Sequence, residues 1–222
     1  MSIRDNYLII RNEIPDDVTI VAAAKTRTVE EVKEIIQAGA TDIGENYLQE
    51  AEQMCEALGE ITKQVRWHMI GNLQKNKINK ALPLFNIIQT VDSLKHAEDI
   101  NLRAERINKI ISVLIEVNIG SEITKSGVAP DFEVIENLAQ GISNLKFLKL
   151  EGLMTMGPIS GDPEEVRPYF RKIKQIFVKI GDLNINNIEM KTLSMGMSNS
   201  YKVAIQEGSN MIRLGTILFG RR

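Results

Sequence analysis

The chain has 222 residues, 43% of them hydrophobic and 25% charged, with a formal net charge of −2. This composition is typical of a globular protein and gives no electrostatic argument for binding nucleic acid or an anionic membrane. No apolar run approaches the roughly 20 residues that a membrane helix needs, residues 1–6 lack a signal-peptide core, and Cys55 is the only cysteine. We therefore expect a cytoplasmic protein with neither a nucleic-acid nor a membrane partner.

Predicted strands and helices alternate along the chain. An amphipathic helix over residues 2–11 precedes a strand over 18–24, and a capping box from Thr28 to Glu31 begins the next helix. Further strands are predicted at 42–45, 65–70, 85–90, 110–117, 147–154, 189–194 and 211–214, with helical patterns between them. The alternation predicts one α/β domain over 1–222, a parallel (β/α)8 barrel of the TIM type with an extra N-terminal helix.

A lysine follows the first strand. Residues 18–24 are β-branched or small, as in a strand buried on both faces, and Lys25 comes directly after them. Active sites of parallel barrels lie at the carboxyl ends of the strands. We therefore expect Lys25 to be a buried amine that forms a Schiff base. A lysine whose ammonium group reaches solvent at the barrel rim is the alternative.

Glycine and hydroxyl residues follow strands seven and eight. Barrels often bind phosphate with these two loops, and glycine lets backbone N–H groups approach an anion. The residues that could supply such a site are Ser194, Gly196, Ser198, Gly215 and Thr216. The alternative for residues 194–198 is a strand-to-helix turn in which a serine caps the next helix.

A phosphate site opposite a strand-end lysine suits pyridoxal phosphate, whose aldehyde condenses with an amine while its phosphate anchors the other end of the ring. Arg213 would then lie near the pyridine nitrogen and leave it unprotonated, since arginine keeps its own protons. A structural ion pair at the top of the barrel is the alternative for Arg213.

Several other polar residues have ordinary structural explanations. His68 is interpreted as a packed polar core residue, and His96 lies in a helix expected to be exposed. Lys75, Lys77 and Lys80 are interpreted as a solvated helix face, and Cys55 as a small core residue. The sequence indicates neither an acid–base histidine pair nor a metal-ligand cluster.

The chain resembles the pyridoxal phosphate homeostasis protein family, single-domain relatives of the alanine racemase N-terminal barrel. The matching segments occur in order along nearly the whole chain: Ala24-Lys25-Thr26, Ile43–Tyr47, His68–Gln74 with Asn76-Lys77, Lys125-Ser126-Gly127, Leu153–Met156, Leu193–Ser198, Ile212–Thr216 and Phe219-Gly220. One departure is Ser200, which stands where the family usually has an aspartate.

The resemblance implies pyridoxal 5'-phosphate as the cofactor, held by a covalent aldimine on Lys25. It also implies a ring-nitrogen contact from Arg213 and ring-side contacts from Asn46 and the strand-three segment, here Ile70. The phosphate contacts that it implies come from Ser194, Gly196, Gly215 and Thr216. Such proteins bind and buffer the cofactor and influence vitamin B6 and amino-acid balance without established turnover, so recipient pyridoxal-phosphate enzymes are the expected partners.

Two other functions remain open. A pyridoxal-phosphate enzyme of racemase type would need the second, all-β domain and the partner-subunit tyrosine of related racemases, and this sequence continues for only two residues after Phe219-Gly220. We therefore expect a monomer without that activity. A sugar-phosphate barrel enzyme of aldolase type would explain Lys25 and the phosphate loops but not the position of Arg213.

Overall fold

Eight parallel strands form a closed barrel in chain order. The structure, a computed structural model, describes residues 2–120, 126–157 and 162–220. Lys125, part of the segments that carry the family resemblance, lies outside these residues. The strands are β1 (Thr19–Ala23), β2 (Asp42–Glu45), β3 (Arg66–Met69), β4 (Ile87–Val91), β5 (Ile111–Val117), β6 (Leu148–Thr155), β7 (Ile188–Ser194) and β8 (Met211–Leu214). The predicted parallel (β/α)8 barrel is confirmed.

Helices follow the strands around the barrel. They are α1 (Ile3–Glu13), α2 (Val29–Gln37), α3 (Leu48–Leu58), α4 (Ile78–Leu84), α5 (Leu94–Arg106), α6 (Phe132–Ser143), α7 (Arg167–Asp182), α8 (Tyr201–Gln206) and α9 (Thr216–Phe219). The extra N-terminal helix α1 is present and packs against α2 and α9. Each long helix turns an apolar face to the strands, which is the arrangement that the helical spacing of apolar residues predicts.

Local hydrogen bonds fix several helix starts. Thr28 and Glu31 form the predicted capping box, in which each side chain accepts the other residue's backbone N–H, at 3.2 and 2.8 Å. A short 3-10 segment, Pro163–Val166, precedes α7, which begins at Arg167. The Asp162 carboxylate caps this 3-10 segment by accepting the Glu164 N–H at 2.9 Å.

The first and last strands close the barrel. β1 pairs with β8, with Val21 opposite Arg213 and Ala22 opposite Leu214. The loop after β1 is also tied to α9, since Arg27 donates to the carbonyl of Gly220 at 2.7 Å and stacks on the ring of Phe219, 5.2 Å from its centroid. In the described ranges, none of the helices combines the length and the apolar character that crossing a membrane requires.

Candidate functional site

A cavity of about 670 Å³ opens at the carboxyl end of the barrel. Six of the predicted site residues line it, and they come from the loops after β1, β2 and β3, from β8 and from the segment that follows β8: Lys25, Asn46, Ile70, Arg213, Gly215 and Thr216. Met156, after β6, and Met197, after β7, also lie on its wall. The barrel topology therefore brings most of the predicted residues together.

Lys25 lies on the cavity wall but is exposed, so the prediction of a buried amine is wrong. The reason is that β1 ends at Ala23, and the chain has already turned outward at Lys25. The next residue, Thr26, has a φ of 61°, and its N–H donates to the Glu50 carboxylate at 2.7 Å. A left-handed conformation costs a residue of this type roughly 1–2 kcal/mol. The turn that carries Lys25 is therefore held by contacts to α3.

Asn46 and Ile70 occupy the neighbouring wall, where the loops after β2 and β3 touch. Ile70 donates its N–H to the carbonyl of Glu45 at 2.9 Å. Gly71 follows, and a Cβ built there would lie 2.2 Å from the backbone oxygen of Asn46. Only glycine permits this approach, which sets the position of Asn46 relative to Ile70.

Arg213 forms the floor of the cavity and is 5% exposed. Its Nη1 donates to the backbone oxygen of Ser194 at 3.0 Å and to the hydroxyl of Ser194 at 2.7 Å, and its Nη2 donates to the carbonyl of Thr155 at 2.8 Å. Burial lowers the pKa of Arg213 to about 10, so the guanidinium remains charged at neutral pH. Among the described residues, hydroxyl and carbonyl acceptors hold it in place, and no carboxylate forms an ion pair with it.

Ser194 and Gly196 do not line the cavity, so the structure does not bring them to the place predicted for phosphate contacts. The Ser194 hydroxyl is fully buried, accepts from Arg213 and donates to Oε1 of Gln89 at 2.7 Å. Gly196, with φ 97°, packs so closely on α8 that a Cβ would lie 2.6 Å from the Cβ of Ala204. Its carbonyl accepts the backbone N–H of Arg213 at 3.0 Å. Both residues therefore contact Arg213 from behind the cavity wall.

Ser198, a candidate for the phosphate loops, does line the cavity, although the family resemblance does not include it among the phosphate contacts. Its hydroxyl oxygen accepts the backbone N–H groups of Gly215 at 3.3 Å and Ile217 at 3.4 Å, which joins the loops after β7 and β8. The residue that precedes α8 is Ser200, whose hydroxyl accepts the N–H of Met197 at 3.2 Å. Neither Ser198 nor Ser200 caps α8 with its side chain, so the capping interpretation is wrong. The sequence signal for a role of Ser198 at the cavity was its position two residues after Gly196.

The remaining candidates are only partly as predicted. His68 is fully buried and bonded to Asp42 and Gln89, which confirms its interpretation as a polar core residue. His96 was expected on an exposed helix face, but its side chain is only 12% exposed because it packs beside Asp92, 3.4 Å away. Within residues 2–120, 126–157 and 162–220, no group of three His, Cys, Asp or Glu residues could hold a metal ion.

The sequence comparisons show which family the chain belongs to. The family model described as alanine racemase, N-terminal domain, matches residues 1–222. A pyridoxal phosphate homeostasis protein from Aquifex aeolicus is 39% identical over 203 residues, which are 91% of this chain and 86% of that protein. One from Pasteurella multocida is 36% identical over 205 residues, or 92% and 87% of the two chains. The chain belongs to the pyridoxal phosphate homeostasis protein family.

Solved structures place this family member among known barrels. PipY from Synechococcus elongatus, solved with pyridoxal phosphate bound, superposes with a TM-score of 0.88 at 27% identity, over 99% of this chain and 100% of PipY. Alanine racemase from Clostridium difficile gives a TM-score of 0.80 at 20% identity, and the match covers 56% of the racemase chain. At that identity the likeness to the racemase shows the fold alone.

Proposed function

We propose that this chain binds pyridoxal 5'-phosphate in the cavity at the carboxyl end of the barrel and buffers it in the cytoplasm as a one-domain carrier without catalytic turnover. In this role it contributes to vitamin B6 and amino-acid homeostasis. The observation that carries the proposal is that the amine of Lys25 and the guanidinium of Arg213 belong to the wall of one cavity of about 670 Å³.

The residues on the cavity wall fit the cofactor. Lys25 offers a primary amine for an aldehyde, and Arg213 offers a cation for the ring nitrogen. Ile70 and the two methionines offer apolar contact for the ring faces, with Asn46 beside them. For a phosphate, the loops after β7 and β8 offer the hydroxyls of Ser198 and Thr216 and the backbone of Gly215.

Two features favour carriage over turnover. When bound, pyridoxal phosphate would supply an aldehyde, and the Lys25 amine would hold it covalently with loss of one water. Arg213 keeps its protons at neutral pH and so leaves the pyridine nitrogen unprotonated, which weakens the ring as an electron sink. Because Lys25 is exposed, water and amines reach the linkage, which suits exchange with recipient pyridoxal-phosphate enzymes.

Absorption spectroscopy tests this proposal. Protein incubated with pyridoxal phosphate is expected to show a visible band, and borohydride is expected to remove the band and fix the cofactor to Lys25, as read by peptide mass spectrometry. Lys25→Ala should lose the covalent link and retain weaker binding, whereas Lys80→Ala, at an exposed position of α4, should behave as wild type. A protein that stays colourless, or equal labelling of wild type and Lys25→Ala, contradicts the proposal.

A second measurement separates the carrier from a racemase-type enzyme. Loaded protein is incubated with L-amino acids in deuterated water, and α-proton exchange is followed by NMR. We expect no exchange above that of free cofactor, and exchange at catalytic rates would contradict the carrier function. Light scattering during gel filtration checks the proposed monomer.

A further inference from the structure

A chain of buried side chains runs through the interior of the barrel and ends at the floor of the cavity. Arg213 Nη1 lies 2.7 Å from the Ser194 hydroxyl, which lies 2.7 Å from Gln89 Oε1. Gln89 Nε2 lies 2.9 Å from His68 Nδ1, and His68 Nε2 lies 2.7 Å from Asp42 Oδ1. All five residues are buried and they come from β8, β7, β4, β3 and β2. We call this set the axial chain.

Every hydrogen bond in the axial chain points the same way. Arginine has only donors, so the Ser194 oxygen accepts from Arg213 and the Ser194 hydroxyl proton goes to the Gln89 carbonyl. The Gln89 amide then donates to Nδ1 of His68, which must carry its proton on Nε2 and donate it to Asp42. The chain thus begins at a cation and ends at an anion.

The anionic end is well defined. Burial opposes ionisation of Asp42, but hydrogen bonds from His68, Thr41 and Arg66 outweigh it and keep the pKa of Asp42 below its ordinary value. Arg66 lies 2.8 Å from the Asp42 carboxylate at the opposite mouth of the barrel. Burial also lowers the pKa of His68, against the pull of Asp42, so the imidazole is neutral. Neutral His68 between an ionised Asp42 and an amide requires the same direction of the chain.

Burying a chain of polar side chains costs free energy unless every donor and acceptor forms a hydrogen bond. A fully hydrogen-bonded chain favours one arrangement of its side chains. The members of the axial chain have only one consistent set of donors and acceptors. Arg213, at one end of the chain, lines the cavity. Replacing buried charged groups by apolar residues of similar volume is often neutral or stabilising. Stability alone therefore gives no reason for the axial chain.

We propose that Gln89, His68 and Asp42 are positioning residues of the cofactor site, which act through Ser194 to hold the Arg213 guanidinium in one orientation at the floor of the cavity. This inference rests on the proposed function, because Arg213 needs a ring to act on. It assigns a role to three residues that lie outside the cavity. The phosphate end of the site does not depend on them.

The direction of the chain is tested first, on the full chain without added cofactor. The sequence has two histidines, so ¹⁵N NMR of the imidazole nitrogens is simple, and a His96→Gln variant assigns the signals. We expect neutral His68 with its proton on Nε2. A proton on Nδ1, or on both nitrogens at neutral pH, overturns the inference. This outcome does not depend on whether the cofactor binds.

Binding measurements test whether the axial chain affects the cofactor site. Ser194→Ala and Gln89→Met each remove bonds of the chain, and each is expected to weaken pyridoxal phosphate binding about tenfold, the size of one lost hydrogen bond. The affinity for inorganic phosphate should stay unchanged, because that probe has no ring. Ser112→Ala, a half-buried serine on β5 outside the axial chain, is the matched control and should bind as wild type.

The double variant separates positioning from general loss of structure. Because Gln89 acts through Ser194, Gln89→Met on the Ser194→Ala background should cause little further loss, while independent damage would multiply to about a hundredfold. Affinities of both single variants within twofold of wild type, or multiplicative losses, overturn the inference. Ser194→Ala removes a single oxygen and keeps the test decisive if Gln89→Met does not fold. A wild-type chain that binds no pyridoxal phosphate contradicts the proposed function instead.

Discussion

Glu45 is a buried carboxyl group in the wall of the barrel. It ends β2, is fully buried, and neither carboxyl oxygen has a hydrogen-bond partner among the residues that the structure describes. Burial, with a smaller contribution from the charge of Glu50, raises the pKa of Glu45 from 4.5 to about 8. Glu45 is therefore a neutral acid in the folded protein at pH 7. We predict that this one group makes the folded protein less stable as the pH rises.

The sign and size follow from linkage. The unfolded chain releases the proton near pH 4.5, whereas the folded chain keeps it until about pH 8. The stability associated with the proton is therefore fully present below pH 4.5 and is lost as the pH rises through 8. At about 1.4 kcal/mol per pKa unit, the free energy of unfolding changes by roughly 5 kcal/mol across this window.

Urea unfolding at pH 5, 6, 7 and 8 measures the effect. Glu45→Gln has nearly the same shape and no charge, so its free energy of unfolding should fall much less between pH 5 and 8 than that of wild type. At pH 8 the variant should be the more stable protein. Glu56→Gln, at an exposed position of α3, is the control and should follow wild type. Parallel stability curves for wild type and Glu45→Gln would refute the reasoning.

Three further substitutions or modifications test local features. Gly71→Ala should lower the free energy of unfolding by about 3 kcal/mol, since the new methyl group would clash with the Asn46 carbonyl. Gly181→Ala is the control, because the nearest atom to its new methyl group would be 3.5 Å away. Equal losses of stability in the two variants would contradict the clash. Burial raises the pKa of the Cys55 thiol to about 11, so alkylation by iodoacetamide at pH 8, followed by mass spectrometry, should be at least about tenfold slower than in urea-unfolded protein. Equal rates would contradict that burial. Thr26→Gly should raise the free energy of unfolding by about 1 kcal/mol because glycine adopts the φ of 61° without strain, and a loss of stability in urea titrations would show that the turn is not strained.

The barrel could be predicted because its signals are local. Alternating apolar strands, helical spacing and caps such as Thr28 with Glu31 lie within short windows of sequence, and strand ends of a parallel barrel must meet at one face. This reasoning brought Lys25, Asn46 and Arg213 to the same cavity. It needed no knowledge of how the loops fold.

The errors concern side-chain direction and loop conformation. The exposure of Lys25 depends on the turn at Thr26, which is set by Glu50 from another element. The inward direction of Ser194 depends on meeting Gln89, which lies far away in the sequence. A serine near a glycine in the sequence is equally consistent with a phosphate contact and with a buried hydrogen bond between two side chains. Only the three-dimensional packing distinguishes these two roles.

The closure of β1 on β8 has a consequence for synthesis of the protein. The strand that leads to Lys25 gains its second sheet neighbour only when Met211 to Leu214 have left the ribosome. Until then one edge of a short, apolar strand has no partner within the nascent chain, and such edges promote aggregation. Arg27 likewise forms its contacts with Phe219 and Gly220 only after these residues have been synthesised. The turn that carries the candidate lysine therefore gains its last contacts only from the end of the chain, and a growing chain that stalls before β8 has neither a closed barrel nor a complete site.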